Sequence, residues 1–255
     1  MVKVWIYTVA ACHNPDKVVC QVPCAIDERQ IFFGPCKKLI RERLREDLLS
    51  SNKVNGMNDH ELYIVGINGG SKVKKIIWAG KLLEGMTFAK ADQTFQGEKY
   101  SDLRNHRCSP LHVRPIMRNG TLKGYEHVSE EHIEDNAWVS DLVSHRAIHK
   151  SMLEGRKLLL LEGTPWEAFD RDFCMRLENI FFAKGQGIAF DEVSLQILRK
   201  GQPGKIGIDQ YAIFGRTESG KVNGLRGTFR EIEGDDARDF IKWICSQSRS
   251  MHKNN

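Results

Sequence analysis

The segment Glu61-Leu-Tyr-Ile-Val-Gly-Ile-Asn-Gly-Gly-Ser-Lys-Val-Lys-Lys-Ile-Ile-Trp-Ala-Gly-Lys-Leu82 constrains the fold most, because it admits only two readings. Two short apolar runs flank a glycine pair, so Gly66–Gly70 is either a phosphate-cradling loop or the bend of a hairpin. A phosphate loop places its glycines at a strand end with a helix following, so that backbone amides and helix dipole meet the anion. Here Ser-Lys-Val-Lys-Lys-Ile-Ile-Trp follows Gly70, which is strand material, and no Gly-Lys-Ser/Thr triplet occurs. Each run holds about eight residues and is β-branched or aromatic, too short for a persuasive helix. The segment therefore predicts a hairpin of adjacent antiparallel strands with Trp78 on a buried or pocket-facing side.

Elements on either side of it follow from the same rules. Val2–Ala11 reads as a strand, His13-Asn14-Pro15-Asp16 as a turn, and Val18–Val22 as a returning strand. Gly34-Pro35 opens a helix in which Leu39, Ile40, Leu44, Leu48 and Leu49 recur at three- and four-residue spacing. Phe95–Leu111, rich in His and Arg, reads as a polar loop suited to function. Glu130–His145 looks partly helical, Lys157–Leu161 is a short strand before Thr164-Pro165-Trp166, and Glu167–Phe181, free of Pro and Gly, reads as a helix. Tyr211–Phe214 is a further strand, 215–227 is glycine-rich, and Asp235–Ser248 is a helix turning Phe240, Ile241 and Ile244 inward. The expected fold is α+β, with a mixed, mostly antiparallel sheet or partly open barrel and flanking helices. Without repeats or a linker tract, residues 1–255 read as a single domain.

Composition bounds the function classes. The chain has 255 residues, 41% hydrophobic and 28% charged, as expected of a soluble globular protein. No apolar stretch approaches the ~18 residues of a membrane span, so no membrane partner is expected. Seven cysteines without regular spacing argue against a disulfide framework, and a reduced, cytoplasmic protein is the expectation. The net charge of +5 is compatible with an anionic partner and modest for a dedicated DNA binder. Lys37, Lys38, Arg41, Lys72, Lys74 and Lys75 are the candidate nucleic-acid contacts if they form one stripe; otherwise they are solvated faces.

Candidate ligand-binding residues are Asn14, Asn68, Tyr100, Arg104, His106, His112 and Tyr125. Side-chain amides read base edges, guanidinium and imidazole groups meet phosphate, and tyrosines stack on bases. Cys12, Cys20, Cys24 and Cys36 lack the paired spacing that zinc favours, and no metal site is assigned. Cys36, in the first turn of a helix beside Lys37 and Lys38, is placed where a thiolate would be stabilised. His127 and His132 flank Ser129-Glu130-Glu131, so a metal-dependent nuclease working through the 106–132 region is the alternative reading. A non-catalytic interaction protein of phage or defence systems is a third. No cofactor and no oligomeric state is indicated.

Several blocks bring one family into view. Val4–Pro15, the Glu61–Gly69 run, Lys75–Phe88, Tyr211–Gly215 and Arg238–Ile244 occur in an order that resembles the second group of the nucleotide-modification-associated domain family. The resemblance implies a setting of nucleotides or nucleic acids, including modified bases in DNA and phage defence, and a fold compatible with PUA-like base readers. It transfers no catalytic residue, and whether the chain is an enzyme stays open.

Overall fold

The computed structural model describes residues 1–9, 23–34, 38–55, 61–68, 74–105, 109–128, 139–144, 146–183, 187–199 and 229–253. The expected strands Val18–Val22 and Tyr211–Phe214 and the glycine-rich 215–227 lie outside these, as do Cys12, Cys20, Cys36 and His132.

The chain opens with β1 (Val2–Val9), β2 (Cys24–Ala25), β3 (Gln30–Phe33), α1 (Lys38–Asn55), β4 (Glu61–Asn68) and β5 (Lys75–Met86). Next come α2 (Phe88–Thr94), α3 (Ser101–Asn105), β6 (Val113–Arg118), β7 (Thr121–His127) and α4 (Val139–Leu142). It closes with β8 (Ser151–Glu154), β9 (Lys157–Leu160), β10 (Cys174–Phe182), β11 (Ile188–Ala189), α5 (Glu192–Arg199), β12 (Phe229–Glu233) and α6 (Gly234–Lys253). The fold is α+β with mixed, mostly antiparallel sheets, and among the described residues no sheet closes into a barrel. Contacts divide the chain into two compact units, one of Met1–Val19, Ser51–Leu82 and Glu178–Asn255, the other of Cys20–Ser50 and Leu83–Leu177.

In the first unit the strands run in the order β12-β1-β4-β5, with β11 also on β5. β1 is parallel to β4 over its whole length and antiparallel to β12. β4 and β5 are the expected antiparallel neighbours, with Val65 opposite Ala79 and Gly66 opposite Trp78. The described chain resumes after β4 as a strand and not as a helix, as the hairpin reading requires. Trp78 is fully buried, lies over Gly66, and donates its indole N–H to the Tyr7 hydroxyl at 3.2 Å. Val4, Ile6, Val65 and Ile67 pack with Phe240, Ile241 and Ile244 of α6, whose inward face follows from their helical spacing.

In the second unit, β6-β7-β9-β8 form an antiparallel four-stranded sheet, and β2 and β3 pair as a short hairpin. Asn119 and Gly120, at φ 51° and 73°, join β6 to β7; an Asn-Gly pair with two positive φ values suits the twist of a two-residue hairpin. Phe32, Phe88, Phe95, Leu111, Val113, Tyr125, Leu158 and Phe169 build the core. The stretch 95–111 contributes to that core through Phe95, Leu103 and Leu111 and includes the short helix α3, so it is more than the polar loop expected. The helix expected over Glu167–Phe181 is corrected: its second half is β10. Cys174, Met175 and Leu177 are buried there, and two-sided burial in a sheet outweighs the helical preference of a run without Gly or Pro.

Candidate functional site

The residues expected at the site divide between the two units. In the first, Asn68 ends β4; its side-chain oxygen accepts the Lys75 amide at 2.7 Å, and its carbonyl accepts Lys74 Nζ at 3.1 Å. Lys74 is buried, and desolvation pulls its ammonium pKa down. Lys75 is half-buried at the start of β5.

In the second unit, Tyr100 is half-buried and sets its ring edge against Phe95, centroids 5.2 Å apart. Arg104 pairs with Asp92 at 2.6 Å and also donates to the carbonyls of Asp92 and Phe95. The Arg104 carbonyl lies 3.2 Å from His112 Nδ1, and the buried His112 ring meets His127 edge to face at 5.1 Å. Tyr125 has no exposed surface. Lys38 begins α1. Arg41, one turn on, is 1% exposed, donates to the Arg171 carbonyl at 2.9 Å and to the Phe173 carbonyl, and sits over the Phe88 ring. Thus Arg104, His112, Tyr125 and Arg41 direct their polar atoms at the protein itself. Asn14, His106, Lys37 and Lys72 lie outside the described residues.

Behind these residues is a buried polar cluster. Asp172 accepts the Phe88 amide at 2.7 Å on one oxygen and the Tyr125 hydroxyl on the other. Burial pushes the Asp172 carboxyl up to about 6 against the pull of its hydrogen bonds and of Arg41 and Arg45. Burial likewise raises the Tyr125 hydroxyl and the Cys174 thiol far above their ordinary ranges. These groups anchor the N-terminus of α2; none of them reaches solvent where a substrate would approach.

An open groove of this unit lies elsewhere. A groove of about 560 Å³ is lined by Arg118, Thr121, Leu122 and Lys123 from the β6–β7 hairpin and by 159–166 from β9 and the turn after it. That volume falls within the range of small-molecule sites. Its sequence logic is local. Ile116 pairs with Gly124 but Met117 with Leu122, so Lys123 is the extra residue of a β-bulge; a bulge bends its strand and re-aims the side chain. Gly163, at φ 77°, turns the chain, and the Thr164 amide closes on the Leu161 carbonyl at 3.0 Å. Pro165 then starts a 3-10 turn at Trp166, held from below by buried Ala168 and Phe169. Trp166 is left 42% exposed at the groove.

The groove thus brings together an exposed indole, two cations, two hydroxyls and leucine walls, groups chemically suited to a flat, anionic ligand. Glu162 is the acidic member of the lining. Among the described residues no group of His, Cys, Asp and Glu could hold a metal ion. The sequence-based expectations do not include this groove: Thr164-Pro165-Trp166 reads there only as the stretch that follows the strand Lys157–Leu161. The Asn119-Gly120 dipeptide was the available signal for the hairpin that carries Arg118 and Lys123. Comparison with protein families, curated proteins and solved structures finds no match.

Proposed function

We propose that the protein binds a nucleotide or an unpaired nucleic-acid base in the groove of the second unit, the base on Trp166 and the phosphate toward Lys123 and Arg118. The observation that carries this reading is the bulge at Lys123, which adds a re-aimed ammonium to a groove that also holds an exposed tryptophan. Stacking on an aromatic side chain tolerates any base and is worth about 1–3 kcal/mol per base. A cation beside the plate supplies the complementary charge. A base carrying a modification is the finer form of the same proposal, since an open groove leaves room at the ring edge. The proposal concerns binding and assigns no catalytic step.

A thermal-shift screen with the common nucleoside monophosphates, short single-stranded oligonucleotides and oligonucleotides bearing modified bases tests it. A ligand present at 100 times its Kd stabilises by about 2.7 kcal/mol. Stabilisation that is reduced in both Trp166→Ala and Lys123→Ala is the expected outcome. No shift with any of these ligands would reject the reading.

A further inference from the structure

The four-stranded sheet of the second unit ends on β8, which pairs only with β9 among the described residues. Ser151 is half-buried, while Met152, Leu153 and Glu154 are exposed, Met152 by 49%. An open edge is a template for another strand. The Leu161 amide donates to the Lys150 carbonyl at 3.1 Å, which turns that carbonyl toward β9 in continuation of the β8–β9 register. Hydrogen-bonded pairs alternate in an antiparallel ladder, so Met152 and Glu154 also face β9. On the other side of β9, the His127 amide donates to the Arg156 carbonyl at 2.9 Å, which fixes the same alternation independently. Ser151 and Leu153 therefore point their amides and carbonyls away from the sheet, into the open edge.

We infer that this edge pairs with the same edge of a second copy of the chain, β8 against β8 antiparallel, centred on Met152. That register places Ser151 opposite Leu153 of the second copy, twice, so the outward amides and carbonyls meet as two hydrogen-bonded pairs. Met152 then faces Met152, and Lys150 of each copy faces Glu154 of the other. Lys150 and Glu154 are both exposed, and among the described residues neither forms an ion pair within its own chain. Glu154 shares one face with Met152, because successive residues of a strand alternate, and Lys150 ends the 3-10 turn that leads into β8. In the paired ladder they occupy non-hydrogen-bonded positions, where side chains come closest. The competing registers also pair outward residues but lose this charge match: centred on Leu153 the pairing sets Lys150 against Arg156 of the second copy, and centred on Ser151 it sets Lys150 against Met152. Charge thus selects the register centred on Met152. A four-residue edge makes a small interface, so the pairing is a weak, concentration-dependent dimer.

Sedimentation of the full chain across the micromolar to sub-millimolar range tests this. The wild type should pass from monomer to dimer mass. Lys150→Glu and Glu154→Lys each oppose like charges in both symmetry-related pairs, so each should stay monomeric. An equimolar mixture of the two variants restores opposite charges and should dimerise, as should the double variant. Both positions are exposed, so folding is not at stake, and far-UV circular dichroism checks it. A wild type that remains monomeric throughout, a dimer that either single variant leaves intact, or a mixture that fails to associate would each overturn the proposal.

Discussion

Tyr125 and Asp172 meet with neither exposed: the phenol donates to one carboxylate oxygen while the other oxygen holds the Phe88 amide at 2.7 Å. An ionised carboxylate in this position trades bulk water for two donors and the nearby Arg41 and Arg45, and burial outweighs them.

The consequence for pH follows from linkage. The folded-state value, about 6, lies above the ordinary 3.8, so between these the folded protein binds more protons than the unfolded chain. Stability contributed by Asp172 is therefore fully present below 3.8 and falls as pH rises to about 6, by on the order of 3 kcal/mol. Asp172→Asn cannot ionise. Urea unfolding at several pH values should show the wild type losing stability relative to Asp172→Asn as pH climbs from 4 to 6 (about the limits of the two protonation equilibria). A constant difference across that window would contradict the assignment.

Gly66 and Trp78 define a second test. A Cβ on Gly66 would lie 2.0 Å from the Trp78 indole nitrogen, inside a buried pairing that cannot open without moving β4 or β5. Gly66→Ala should cost about 1–3 kcal/mol or more through overpacking. Trp78→Leu alone also destabilises, by leaving space. The double variant should cost clearly less than the sum of the two, because each change relieves the other. Additive costs in denaturant unfolding would show that the two side chains do not compete for this space.

The elements legible in the sequence are those whose signal is local. The β4–β5 hairpin was readable because strand-forming residues follow Gly70 where a helix start would be needed. Helices α1 and α6 were readable from the spacing of Ile40 with Leu44 and of Phe240 with Ile244. β10 was not, since what makes Cys174–Phe182 a strand is burial supplied by distant segments. Arg41 looks like any helix-surface cation until the carbonyls of Arg171 and Phe173, some 130 residues on, are folded against it. The groove joins Lys123 to Trp166 across a hairpin and a turn, and nothing within either segment announces the other.

Salt dependence distinguishes the size of the ligand in that groove. Only Arg118 and Lys123 of the lining are cationic. Two phosphate contacts on a single strand give a slope of log K against log salt near −1.4. Titrations of an oligonucleotide at several salt concentrations should give a slope no steeper than this. A slope several-fold steeper would mean that an extended strand engages cations well beyond the groove.

The most direct test of the central claim is calorimetric titration of the ligand that gives the largest thermal shift into wild type, Trp166→Ala and Lys123→Ala. Trp166 is exposed and Lys123 sits at a bulge on the surface, so neither change should unfold the chain. Loss of one stacked base costs about 1–3 kcal/mol, a five- to more than hundred-fold weakening. The account predicts one binding site per chain in the wild type, and an affinity reduced to that extent by Trp166→Ala and also lowered by Lys123→Ala. Wild-type affinity retained in both variants would contradict it.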